Sequence, residues 1–167
     1  EISRIKNRIA RWFSIYFPEI KDVYRNPDTV SGLMVIKQAP LPCDIKGLGV
    51  DGVNKIWRDA RLKGAGLKRA KNLVTAAEHS IGNTEAPRSA RKEIRNLLND
   101  YEIYKSRMDE LMEEIEELLS GIPYIDKLMG ISGIGIKTVS CFIAEVGDIE
   151  RFDNPEQVQK LAGSDIV

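Results

Sequence analysis

Apolar positions recur at helical spacing along nearly the whole chain, and no stretch alternates polar and apolar residues for long enough to argue a strand. Ile5, Ile9, Trp12, Phe13 and Tyr16 fall on one stripe, Arg4, Lys6, Arg8 and Arg11 lie on the other face, and Pro18 ends the helix. A short helix is predicted from Glu19 to Tyr24, then a turn at Asn26-Pro27-Asp28. The next helix carries Val30, Leu33, Met34 and Ile36, and Pro40 and Pro42 bracket a loop. Asp44 to Leu48 reads as a turn of helix closed by Gly49, and Asp51 is placed to cap a following helix that buries Val53, Ile56 and Trp57. Lys63-Gly64-Ala65-Gly66 breaks that helix. Leu67 to His79 forms another, with Leu67, Ala70, Leu73, Val74 and Ala77 on one stripe.

The longest element follows. Pro87 suits a helix N-terminus, and the pattern runs unbroken to Gly121, about 34 residues and therefore roughly 50 Å. Ile94, Tyr101, Met108, Ile115 and Ile122 are seven apart; Leu97, Tyr104, Leu111 and Leu118 repeat with the same period, offset by three. This is the seam of a coiled coil, and a strict seven-residue repeat underwinds helices into a supercoil. The seam requires a partner, either an internal helix such as residues 2–17 or the same helix of a second subunit. The longest helix of an ordinary bundle is the plainer reading. Residues 123–129 form a short helix. Ile136 to Val146 form another, with Val139, Phe142, Ile143 and Val146 inward, and Gly147-Asp148 ends it. A last helix starts at Asn154-Pro155, with Asn154 as its cap. The expected architecture is all-α: a helical cluster over 1–85, a heptad helix over 86–122 that links or oligomerises, and a helix-hairpin-helix-type segment over 123–167.

Between the last two long patterns stands Ile131-Ser132-Gly133-Ile134-Gly135-Ile136, followed by Lys137 and Thr138. Two glycines permit positive φ and close approach of another chain, and Ile134 points back to pin the hairpin. The helix that follows opens with free amides at Gly135, Ile136 and Lys137. Such an end binds phosphate through hydrogen bonds and the helix dipole, with Lys137 adding charge and Thr138 a hydroxyl. A contact of this kind positions nucleic acid without reading its sequence. Ile45-Lys46-Gly47-Leu48-Gly49-Val50 looks similar, but Gly52 weakens the next helix and the stretch reads as an ordinary turn.

Composition sharpens this picture. The chain is 43% hydrophobic, 30% charged and neutral overall, which makes it globular, and no apolar run approaches a membrane span. Charge is unevenly spread. Lys55, Arg58, Arg61, Lys63, Lys68, Arg69 and Lys71 form a belt, and Arg88, Arg91, Lys92 and Arg95 are spaced to extend it. Within the belt, the glycine loop flanked by Lys63, Lys68 and Arg69 can lie against a phosphate backbone, though it lacks the full nucleotide-binding loop. From residue 99 to 120 the sign reverses, with eight carboxylates against Lys105 and Arg107. No catalytic residue is assigned. His79 sits at a helix end as a surface cation, and Cys43 and Cys141 read as small apolar fillers without metal spacing. The chain opens on Glu1 inside a helical pattern and stops without closure, so it is expected to be an internal piece of a longer protein.

Three stretches together carry a resemblance over about forty residues. They are Leu128 to Thr138, Ala144-Glu145-Val146-Gly147-Asp148-Ile149-Glu150-Arg151-Phe152, and Gln159-Lys160-Leu161-Ala162-Gly163. They resemble the C-terminal domain of transposases of insertion-sequence family 110, relatives of the Piv DNA invertase, whose pattern runs I-P-G-I-G-x-x-T-A, A-E-I-G-D-I-x-R-F and Y-A-G-L-x-P. Ser132 stands where the family has proline, and Ser164 and Ile166 where it has leucine and proline. The resemblance implies a transposase or site-specific recombinase of a prokaryotic mobile element, cytoplasmic and nucleoid-associated. Such a protein works on DNA as a homo-oligomer and in some members with a structured guide RNA. It also implies an acidic, magnesium-binding domain upstream and a serine nucleophile downstream of Val167; Ser164 is not assigned that role. The fragment is then expected to be inert by itself. The competing readings are a helix-hairpin-helix DNA-repair or junction-binding module, and a non-catalytic helical scaffold.

Overall fold

The structure, a computed structural model, describes residues 1–26, 29–147 and 149–161. Pro27, Asp28, Asp148 and residues 162–167, including Ser164 and Ile166, lie outside them. The protein is all-α, with no strand among the described residues. It divides into two compact units, Glu1–Ser106 and Arg107–Val167.

The first unit begins with α1 (Ile2–Tyr16), whose buried face is Ile5, Ile9, Trp12 and Phe13. Next come α2 (Ile20–Val23) and α3 (Val30–Gln38), the latter capped by Thr29, whose hydroxyl accepts from the Gly32 amide. Helix α4 (Pro42–Asp59) is bent at Gly49, which takes φ 65° and ψ −178°. The closure predicted at Gly49 is thus a kink between two helical stretches, and this turn opens no separate hairpin. Helix α5 (Leu67–Glu78) packs on α4 and α2 through Ala70, Leu73, Val74 and Ala77. Leu67, expected on that inner stripe, is exposed in the first turn of α5. The long helix α6 (Pro87–Ser120) contributes Ala90, Ile94, Leu97 and Leu98 to the same core.

Two buried tryptophans tie these helices together. Trp12 Nε1 donates to the Ala90 carbonyl at 3.1 Å, joining α1 to α6, and Trp57 Nε1 donates to the Ser31 carbonyl at 2.9 Å, joining α4 to α3. Asp44 serves two ends at once. Its Oδ2 accepts the Leu41 amide at the start of α4, and the carboxylate accepts Arg91 Nε at 2.9 Å and Nη2 at 2.6 Å from α6. Arg91 is therefore a bolt between helices rather than part of an outward basic row, which corrects the expected run of Arg88, Arg91, Lys92 and Arg95. The thiols are also placed differently from expectation. Cys43 and Cys141 are both exposed, and Cys43 Sγ lies 3.6 Å from Arg91 Nη2. The connection before α6 is pinned by Glu19, which accepts from Ser80 Oγ and the Ile81 amide, and by the Asn83 amide donating to the Ile15 carbonyl. Gly82 passes so close to α1 that a Cβ there would meet the Tyr16 carbonyl oxygen.

In the second unit α7 (Ile125–Met129) packs on α8 (Ile136–Val146), with Val139 and Val146 buried. A 3-10 turn (Ile149–Arg151) and α9 (Pro155–Leu161) follow. Asn154 caps α9 as expected, its Oδ1 accepting the Gln157 amide at 3.1 Å.

Hydrogen bonds from Arg91 hold the Asp44 carboxyl below its usual pKa, outweighing the opposing effect of burial. A carboxylate with a depressed folded-state pKa adds stability that is complete above its unfolded value, near pH 4, and disappears as pH falls through the folded one. Asp44→Asn is expected to destabilise the first unit by about 1–3 kcal/mol at pH 7, and the gap from the parent should close in acid. Thermal melts of both proteins between pH 7 and pH 2.5 test this. Gly82→Ala should cost about 1–3 kcal/mol through overpacking against backbone, read as a lowered urea midpoint.

Candidate nucleic-acid interface

The turn between α7 and α8 is made by residues 130–135. The Ile131 amide donates to the Leu128 carbonyl and the Ile134 amide to the Ile131 carbonyl, which closes the turn. Gly133 lies at φ 85°, a region an L-residue enters only with strain. Gly135 is the N-cap of α8 at φ −104°, ψ 168°, and no side chain caps the helix. The Thr138 and Val139 amides both turn back to the Gly135 carbonyl. Among the described residues the amides of Gly135, Ile136 and Lys137 meet no acceptor. Ser132, Gly133, Gly135, Lys137 and Thr138 are exposed, while Ile134 and Ile136 are half-buried and anchor the turn from beneath. Lys137 forms no ion pair among the described residues.

The turn between α4 and α5 has the same construction. Leu62-Lys63-Gly64-Ala65-Gly66-Leu67-Lys68 aligns with Ile131-Ser132-Gly133-Ile134-Gly135-Ile136-Lys137, an apolar-x-Gly-apolar-Gly-apolar-Lys pattern in both. Gly64 takes φ 80° where Gly133 takes 85°, and Gly66, like Gly135, is an extended N-cap without a side-chain cap. The Ala70 amide returns to the Gly66 carbonyl as the Val139 amide does to Gly135, and Ala70 and Val139 are buried at matching positions. Sequence reasoning took Lys63-Gly64-Ala65-Gly66 for a helix breaker with basic flanks and missed its equivalence to the second turn. The repeated spacing of two glycines and a lysine was the signal that could have found it.

At the first hairpin, Gly64, Gly66, Leu67, Lys68, Arg69, Asn72 and Val23 line an open cleft of about 540 Å³. Lys63 and Lys68 are exposed and unpaired among the described residues, whereas the Arg69 guanidinium lies 5.6 Å from the centre of the Tyr24 ring. Neither Gly66 nor Gly135 is required by the fold, since neither has positive φ and a Cβ on either would meet nothing within 4 Å. Their missing side chains leave helix mouths that another molecule can approach closely. The described residues gather no three His, Cys, Asp or Glu side chains able to hold a metal. No helix of the described residues is long and apolar enough to cross a membrane.

The heptad residues are divided. Ile94 and Leu97 are buried in the first unit and Tyr101 is half-buried against its core, with Lys6 Nζ of α1 5.7 Å from its ring centre. Tyr104, Met108, Leu111 and Leu118 are exposed, and Ile115 is half-exposed.

The protein is thus an all-α chain with two glycine turns of matching construction. Residues 125–167, which contain the second hairpin, match the Transposase IS116/IS110/IS902 family, so the resemblance drawn from the sequence stands for this segment and its role is transposase-related. No curated protein and no solved structure matches the chain.

Gly133→Ala should lower stability by about 1–2 kcal/mol from backbone strain, and Gly135→Ala should cost less, about 0.5 kcal/mol, because alanine is a poorer N-cap than glycine. Urea titrations of the two variants, followed at a reporter on α8, separate the two glycines.

Proposed function

We propose that the chain is part of a transposase or site-specific recombinase of a mobile insertion sequence. In this reading it grips the nucleic-acid backbone and associates with further copies of itself, and the complete catalytic site is not carried by these residues. The single observation behind this reading is the family match over 125–167 coinciding with an exposed hairpin whose helix mouth is open. Phosphate oxygens accept from the amides of Gly135, Ile136 and Lys137, with the Thr138 hydroxyl and the Lys137 ammonium beside them. The matching hairpin at Lys63, Lys68 and Arg69 supplies a second backbone contact. Such contacts position DNA without selecting sequence. A structured RNA offers the same phosphates and is the second ligand of this surface. The exposed part of the seam on α6 carries self-association.

Gly135→Asp separates fold from function. Aspartate is a better N-cap than glycine, so the variant should be more stable by a few tenths of a kcal/mol, yet its carboxylate repels phosphate from the same amides. Duplex binding by fluorescence anisotropy should fall about tenfold, and Lys137→Glu should act in the same direction. The latter should also flatten the slope of log K against log salt by about 1. Parent-like affinity for both variants at low salt removes the hairpin from the interface.

A further inference from the structure

The two glycine turns match in backbone and differ in the side chains around them. At the first, Leu67, Arg69 and Asn72 stand where the second has Ile136, Thr138 and Cys141. Leu67 is apolar and yet 53% exposed, whereas Ile136 is half-buried. The open cleft of about 540 Å³ is walled by Leu67, by the half-buried Val23 of α2, and by Lys68, Arg69 and Asn72, which are all exposed. Its volume falls in the range of small-ligand sites, about 300–1,000 Å³. The Tyr24 ring, its centre 5.6 Å from the guanidinium carbon, holds Arg69 at the wall. Charge here runs against the helix. Lys68, Arg69 and Lys71 fall in the first two turns of α5, and no acidic residue accompanies them in the first turn. Lys68 and Lys71 form no ion pair among the described residues. Cations at the positive end of a helix dipole are disfavoured, so a bound anion relieves the fold.

We propose that this cleft holds one unpaired nucleotide of a nucleic-acid strand, its base against Leu67 and Arg69 and its phosphate beside Lys68. The proposal rests on the nucleic-acid reading above and adds the state of the strand that this surface takes. Each part of a nucleotide has a counterpart in the cleft. The face of a base packs on aliphatic side chains and on guanidinium planes, which Leu67 and Arg69 supply. Its edge carries donors and acceptors, and the Asn72 carboxamide offers both in return. Its phosphate is anionic, and Lys68, with Lys63 on the turn, brings the opposite charge. A base stacked within a duplex has no face to give Leu67, so the nucleotide is one in a bulge, a gap or a single strand. A plain phosphate uses the lysines alone and leaves Leu67 and Asn72 without a partner. The second turn has neither a planar cation nor a carboxamide at the matching positions, so base contact belongs to the first turn.

Three duplexes of one sequence test this by fluorescence anisotropy on the full chain. One is fully paired, one carries a single unpaired adenine nucleotide, and one carries the same bulge as an abasic site. The paired duplex reports backbone contacts alone. The two bulged probes have the same phosphates, so a base contact is what separates them. The base-bearing bulge should bind about tenfold tighter than the abasic one, within the range that stacking of one base contributes. Leu67→Ala should bring the two within about twofold, and so should Arg69→Lys, which keeps the charge and loses the plane. Both side chains are exposed, so thermal melts of the variants should match the parent. Equal binding of all three duplexes by the parent overturns the proposal and leaves the backbone contacts of the proposed function standing. A preference for the base that survives both substitutions places it outside the cleft and overturns the proposal as well. Displacement of the base-bearing probe by adenosine monophosphate at equal concentration makes the cleft a site for free nucleotides, with the same consequence. Failure to bind any of the three duplexes removes the nucleic-acid reading itself.

Discussion

A buried indole cannot leave its N–H without an acceptor, and this constraint organises the first unit. Trp12 sits almost fully buried on α1 and finds its acceptor at Ala90, in the first turn of α6, where the residues around it bury Ile94 and Leu97 as well. Trp57 makes the matching demand on α3. Because each indole reaches a carbonyl on a different helix, burial and hydrogen bonding fix the same pairings. The Asp44–Arg91 fork then locks α4 to α6 at a second point. These ties determine which part of α6 is spent on the core and which part is left to solvent.

The two glycine turns use one backbone solution twice. The glycine at positive φ, Gly64 or Gly133, is needed to turn the chain. The second glycine, Gly66 or Gly135, is not needed for that, and a capping serine or aspartate there would make a steadier helix. Both helix mouths are therefore left without a capping side chain, and each carries a lysine in its first turn.

The sharp reversal of charge beyond residue 98 has a physical consequence for the same helix. A stretch so rich in carboxylates carries strong like-charge repulsion along its exposed face. Met108, Leu111 and Leu118 are exposed on this same carboxylate-rich stretch, so apolar surface and like charge lie side by side on one helix.

Much of this was legible without coordinates. The all-α class, the span of α6 from Pro87, the limits of α8 and the Asn154 cap follow from periodicity, proline and side-chain capping, which act within a few residues of one another. The glycine turn at 130–135 could likewise be read as a hairpin, because its chemistry is contained in one short stretch. Some features lay beyond local pattern. Arg91 and Lys92 look alike along the chain, but among the described residues only Arg91 pairs with a carboxylate, that of Asp44, 47 residues away. A seven-residue repeat states that a stripe must be covered; it does not say where one cover ends. The packing of α1 and its neighbours decided that, because the core they form takes up the seam at Ile94 and Leu97 and reaches along it to Tyr101.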